Sequence, residues 1–168
     1  MAFDIPILFI IFNRPDTTEK VFKEIQKQKP KYLFVAADGP RLNRPDDIEK
    51  CKETRAIIQQ IDWDCDLKIL FREENLGCGK AVSGAITWFF DQVEMGIVLE
   101  DDCLPHPDFF PYCKDLLFKY KDVDQVKWIS GNNCNITSNK TDSSYYFSAY
   151  NHVWGWASWK RVWNDYHY

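Results

Sequence analysis

The chain has 168 residues, 45% of them apolar and 16% aromatic, with 21 basic and 25 acidic residues and a formal net charge of -4. That length suits one domain with one sizeable core, and the aromatic content excludes a disordered chain. The interspersed, slightly acidic charge gives no footprint for nucleic acid.

The first apolar run, Ile5 to Phe12, is too short to span a bilayer and lacks the flanks of a signal peptide. It has no polar alternation, so it predicts a central parallel strand covered on both faces. Asn13-Arg14-Pro15 breaks it, and Asp16-Thr17-Thr18-Glu19 has the form of a capping box, with Val21, Phe22 and Ile25 on the inner face of the helix that follows. Tyr32 to Ala37 predicts a second strand, stopped by Asp38-Gly39-Pro40. From Asp46 to Ile61 the spacing of Ile48, Cys51, Ile57, Ile58 and Ile61 predicts one amphipathic helix, with Asp46-Asp47 favouring its dipole.

Leu67 to Phe71 predicts a third strand, and Asn75 to Lys80 opens a helix running through Phe90. Gly96-Ile97-Val98-Leu99 predicts a fourth strand that ends abruptly in Glu100-Asp101-Asp102. Pro107 takes the place of a first helical residue, and Phe109, Cys113, Leu116, Leu117 and Tyr120 follow at helical spacing. Val126 to Ser130 predicts a fifth strand, and Trp159 to Tyr168 keep a helical spacing. Strands alternating with helices of this length predict a doubly wound α/β domain, its sheet mostly parallel. Residues 1–131 are expected to form the α/β core of this single domain, and residues 132–168 to begin a further region of it.

Six cysteines, Cys51, Cys65, Cys78, Cys103, Cys113 and Cys134, form no C-x-x-C pair and no Cys/His cluster, which gives no support for structural zinc. Without a secretory signal they are expected as reduced thiols of a cytoplasmic protein, at most peripheral to a membrane, and the sequons at Asn135 and Asn139 as plain loop residues. Three familiar signatures fail. Gly79-Lys80 lacks the glycine and the following Ser/Thr of a P-loop, and the glycines from Gly77 do not complete G-x-G-x-x-G. The acidic stretch Asp62 to Glu73 has Leu67 where a calcium loop needs glycine.

What remains is a convergence. Arg14, Asp38, Lys80 and Glu100-Asp101-Asp102 all lie just after predicted strands or at a following helix start, the edge of a parallel sheet where ligands bind. A diphosphate brought there would be repelled by the carboxylates, by about 4 kcal/mol per charge pair at ~4 Å and an effective dielectric of ~20. A divalent cation reverses that sign. Oxygen ligands from a carboxylate and from phosphates suit Mg²⁺ or Mn²⁺, with Arg14 or Lys80 neutralising the remaining charge.

The chain resembles the nucleotide-sugar glycosyltransferases of the GT-A fold, most closely the animal N-acetylglucosaminyltransferase that begins complex N-glycan branching and its bacterial relatives. The residues that carry the resemblance are Phe12-Asn13-Arg14 after the first strand, Asp38-Gly39, Glu100-Asp101-Asp102, Pro107-Asp108-Phe109-Phe110 and Gly155-Trp156. It implies transfer of a sugar, with inversion, from a UDP-linked donor to a saccharide or other hydroxyl acceptor. Asp38 would read the uracil, Arg14 the diphosphate, Glu100 and Asp101 the sugar and ribose, and Asp102 the metal, with Phe12, Asn13 and Lys80 beside the donor. Trp154, Gly155 and Trp156 would border the acceptor.

The resemblance also implies a carboxylate base on an element after a Gly-Trp helix, within which this chain is expected to end. Asp165 is the one late acid and reads as an exposed helix residue, so no base is assigned and the family pattern places it beyond Tyr168. Two other readings stand beside this one. A sugar nucleotidyltransferase would need a glycine-rich loop after the first strand, which Phe12-Asn13-Arg14-Pro15 does not supply. A non-catalytic or truncated nucleotide-sugar-binding module would keep the donor residues without the base.

Overall fold

The computed structural model describes residues 3–133 and 143–166. Four strands form the parallel core of the sheet: β1 (Ile7–Ile11), β2 (Tyr32–Ala37), β3 (Asp66–Phe71) and β4 (Met95–Glu100). Two more, β5 (Ile129–Ser130) and β6 (Trp156–Trp159), complete the order β3-β2-β1-β4-β6-β5. The helices are α1 (Pro15–Gln28), α2 (Asp46–Ala56), α3 (Cys78–Phe90), α4 (Phe109–Lys119) and the short α5 (Lys160–Trp163). They cover both faces of the sheet, so the expected doubly wound, mostly parallel α/β fold is present.

The burial explains why the central strands were legible. Every residue of β1 except Ile10 is buried, as is all of β2 except Tyr32. One face packs Ile7, Phe9 and Ile11 with Val21, Phe22 and Ile25 of α1 and with Phe110, Cys113 and Leu117 of α4. The other packs Leu8, Phe34 and Val98 against Ala85, Phe89 and Phe90 of α3. Gly96 lets β4 lie against α3, because a Cβ there would collide with the Phe89 ring. By contrast β3, at the sheet's edge, is only half-buried and Ile69 faces solvent.

Several boundaries differ from the sequence expectation. The capping box is not formed: α1 starts at Pro15, and Arg14 before it makes no side-chain cap. Proline at a first helical position loses no needed N–H. The helix expected to Ile61 ends at Ala56 and tightens into a 3₁₀ turn over Ile57–Gln60. Its Ile48 is 64% exposed and not part of the core. Pro107 lies in the turn ahead of α4, two residues before the helix begins.

The last part of the chain departs most. The fifth strand is only Ile129–Ser130, and the stretch expected as a helix from Trp159 is helical only over Lys160–Trp163. The Gly-Trp segment is not helical either. Gly155 takes a left-handed φ of +71° and turns the chain into β6, which runs antiparallel to β4, pairing Val98 with Trp156 and Met95 with Trp159. β5 pairs with the far side of β6. Cys51, Cys65, Cys78, Cys103 and Cys113 are free thiols, while Cys134 and the sequons at Asn135 and Asn139 lie outside the described residues. Among the described residues no helix is long and apolar enough to cross a membrane.

Candidate functional site

Parallel register brings the exits of β1, β2 and β4 to one edge. Ile11 pairs with Ala37 and Ile10 with Glu100, so Phe12, Asp38 and Asp101 leave the sheet side by side. The acid triplet then divides by burial. Asp101 is buried, and its Oδ2 accepts the Phe12 backbone N–H at 3.0 Å. Its Oδ1 accepts Arg14 Nη1 at 3.2 Å, and the same nitrogen donates to Asp102 Oδ2 at 2.5 Å. Asp102 is half in solvent, with 51% of its side chain exposed.

Burial raises the pKa of Asp101, opposed by the Phe12 N–H and the Arg14 charge. Glu100 is raised by burial first and then by the two neighbouring carboxylates. Asp101 and Asp102 in turn hold Arg14 more firmly protonated. Three acids sharing one exposed guanidinium leave the edge short of positive charge, which is an attractive setting for a cation.

Asp102 opens into a cleft of about 1630 Å³ that runs along α4 and beneath the segment before β6. Its walls include His106, Tyr112, Tyr145, Trp154 and Gly155. Trp154 is 65% exposed and offers an aromatic face there, whereas Trp156 is buried, stacked on Trp128 with ring centroids 3.8 Å apart. Trp156 therefore serves the core, and of the two tryptophans expected at the acceptor side only Trp154 is presented to a ligand. The cleft thiol, Cys103, is pushed up to about 11 by burial and by Asp102, which keeps it in the unreactive protonated form.

Asp38 lies at the β2 exit but is occupied. Its two oxygens accept the backbone N–H groups of Leu76 (3.0 and 3.1 Å) and Gly77 (3.1 Å) and the side-chain amide of Asn75 (3.0 Å). The carboxylate thus pins the turn that starts α3. Gly39 beside it has no room for a Cβ, which would meet the Glu73–Glu74 backbone. Lys80 is exposed in the first turn of α3 and does not line the cleft. Asp165 is exposed in the turn after α5, with Lys127 at 3.7 Å.

One pair at this edge escaped the sequence reading. Asp47, read there as a favourable charge at a helix start, is almost fully buried and accepts Arg41 through both oxygens, at 2.6 and 3.0 Å. The Asn13 amide donates to the same carboxylate at 2.8 Å, which ties the β1 exit to the start of α2. Arg41 and then Asn13 hold the Asp47 carboxyl well below the usual range. No local spacing marks this pair, because Asp46 and Asp47 look alike in sequence and the partner Asn13 is 34 positions away.

Among the described residues no three His, Cys, Asp or Glu side chains gather as a metal cage. That is compatible with Mg²⁺ or Mn²⁺, which bind through one or two carboxylates together with substrate phosphates. Asp102 fits such an anchor: exposed, beside the cleft, and with Oδ1 engaged among the described residues by the weak Cys103 thiol donor at 3.6 Å.

Among solved structures the chain is similar to 4-diphosphocytidyl-2C-methyl-D-erythritol synthase from Anaerococcus prevotii. The TM-score is 0.51 at 9% identity, covering 95% of this chain and 73% of that one, a likeness of fold alone. No curated protein matches the chain. The family model for glycosyl transferase family 2 matches residues 7–162, from the first strand into α5 and across every residue of the edge just described. The chain belongs to glycosyl transferase family 2.

Proposed function

We propose that this domain transfers a sugar from a nucleotide diphosphate sugar, UDP-linked, to a saccharide or other hydroxyl acceptor, with Mn²⁺ or Mg²⁺ on the diphosphate. The observation that carries the reading is the placement of Asp102. It stands at the exit of a buried parallel strand, open to a large cleft, beside Arg14 and two further acids.

Asp102 holds the metal in this reading and Arg14 the diphosphate. Glu100 and Asp101 face the sugar and ribose, while Phe12, Asn13, Asp38 and Lys80 lie on the donor side. A bound divalent cation supplies Lewis-acid stabilisation of the departing diphosphate. Arg14 is long and half-exposed, so it can turn from the carboxylates to a phosphate oxygen and keep a charge-assisted hydrogen bond in either position. Trp154 gives the acceptor side an apolar face suited to a sugar ring.

The finer resemblance, to the N-acetylglucosaminyltransferase that begins complex N-glycan branching, supports UDP as carrier and inversion as outcome. It rests on Arg14, Asp38 and the acid triplet. The β1 exit, Phe12-Asn13-Arg14-Pro15, has no glycine-rich phosphate loop, which speaks against a sugar nucleotidyltransferase.

The test is calorimetric titration of the chain with UDP in the presence and absence of Mn²⁺, repeated on Asp102→Ala. Metal-dependent binding that the substitution weakens at least tenfold is expected. Equal affinity in the two proteins would refute the assignment of Asp102. Release of UDP from a UDP-sugar would then separate a transferase from a module that only binds.

A further inference from the structure

The loop between β2 and α2 presents a flat cation of unusual rigidity. The Arg41 Nε and Nη2 both donate to Asp47, and the Arg41 backbone N–H reaches the same carboxylate at 3.3 Å, so one edge of the guanidinium is held bidentately while the loop backbone is tied to the same group. The guanidinium carbon stands over the Phe12 ring, 5.4 Å from its centroid. Away from Phe12 the side chain is accessible, with 44% of it exposed. Asp47, which does the holding, is 4% exposed.

A tie needed only to fasten a loop does not require a buried carboxylate. Taking that charge out of water is costly, and an apolar contact of the same size serves stability as well or better. What the ion pair adds is orientation. An Arg fork held bidentately by a carboxylate has little rotamer freedom left to lose when something stacks on it.

The position is informative too. Phe12, beneath Arg41, donates its N–H to Asp101, and Asp101 takes Arg14. Asn13, the next residue, hydrogen-bonds Asp47. Arg41 therefore stands at the far end of a continuous set of contacts that begins at the Arg14–Asp102 pair. A ligand with its diphosphate at Arg14 and a planar group pointing towards the β2 side would bring that group to Arg41.

We infer that Arg41, buttressed by Asp47, is a stacking platform for the heterocyclic base of a nucleoside diphosphate. The base lies on the accessible side of the guanidinium, away from Phe12. Asp47 is a positioning residue, acting on the ligand only through Arg41 and Asn13. This rests on the nucleotide-sugar reading above, and adds to it a binding residue that the sequence reading did not assign.

The experiment compares UDP with inorganic pyrophosphate, each titrated with Mn²⁺ into the full chain and into Arg41→Ala, Arg41→Lys and Asp47→Asn. Folding is checked for each by circular dichroism. Arg41→Ala is expected to weaken UDP about tenfold, the size of one stacking contact, and to leave pyrophosphate within twofold. Arg41→Lys restores the charge without the plane and should recover little of the loss. Asp47→Asn should weaken UDP severalfold through a loosened guanidinium.

UDP affinity within twofold of the parent in Arg41→Ala would overturn the platform, as would a parallel loss for UDP and pyrophosphate, or full rescue by lysine. Arg41→Ala leaves the buried Asp47 carboxylate without its cation, so Arg41→Lys, which keeps one, holds the test decisive where the alanine variant or Asp47→Asn fails to fold. A parent chain that binds neither UDP nor pyrophosphate would overturn the nucleotide-sugar reading itself. That outcome is distinct from every pattern expected of a misassigned Arg41.

Discussion

Arg14 Nη1 sits 2.5 Å from Asp102 Oδ2, so the carboxylate proposed to hold the metal also accepts from the side chain proposed to hold the diphosphate. The pair is half-exposed at both ends, which makes it weak enough to exchange.

Arg14 and the cation should therefore compete for Asp102. In Arg14→Ala, Mn²⁺ alone is expected to bind about threefold or more tighter, while UDP with Mn²⁺ binds at least tenfold more weakly for want of the phosphate contact. Paramagnetic resonance of free Mn²⁺ reads the first quantity and calorimetry the second. Both affinities falling together would show that Arg14 and the metal do not share Asp102.

Asp38 should matter for stability as well as for any ligand. Asp38→Ala leaves the Leu76 and Gly77 N–H groups without their acceptor and the Asn75 amide with the Gly39 carbonyl alone. The expected loss is about 3 kcal/mol in urea unfolding, and Asp38→Asn should restore part of it, since it keeps one acceptor oxygen. A loss in Asp38→Ala below about 1 kcal/mol would mean that the turn before α3 finds other partners.

The triplet gives stability a definite pH dependence. Burial and its acidic neighbours raise the native pKa of Glu100, so the native state binds its proton more tightly than the unfolded chain does. That contribution is fully present below the ordinary Glu pKa and is lost as pH rises through the raised native value. Glu100→Gln cannot ionise. Its melting temperature relative to the parent should therefore increase with pH across that window and level off above it, as thermal unfolding across a pH series would measure. A difference that shrinks as pH rises would reverse the sign and remove the assignment.

The strands buried on both faces could be read directly, because continuous apolar runs such as Tyr32 to Ala37 have few other uses in a chain of this size. The triplet was legible for the same reason, as charge at the abrupt end of such a run. β6 was not. Trp156-Ala157-Ser158-Trp159 is short and gives no clear period, and its strand character comes from pairing with β4, some 60 positions earlier in the chain. The Trp156 ring illustrates the cost: an aromatic beside a glycine suggests a sugar surface, yet the turn at Gly155 sends it inward onto Trp128. Arg41 and Asp47 lay hidden because their pairing depends on how the loop after β2 folds back on the start of α2, and either residue alone is indistinguishable from ordinary surface charge.

The insertion of β6 between β4 and β5 sets an order of assembly. During synthesis β1 to β4 emerge first and can pair among themselves, but β5 has no neighbour until Trp156–Trp159 arrives. Until then the outer edge of β4 carries unpaired backbone groups beside Ile97 and Val98, the kind of edge that recruits other chains. The edge at the exits of β1, β2 and β4 can thus form early, while the Gly155 wall of the cleft waits on a late, four-residue strand that covers the open side of β4.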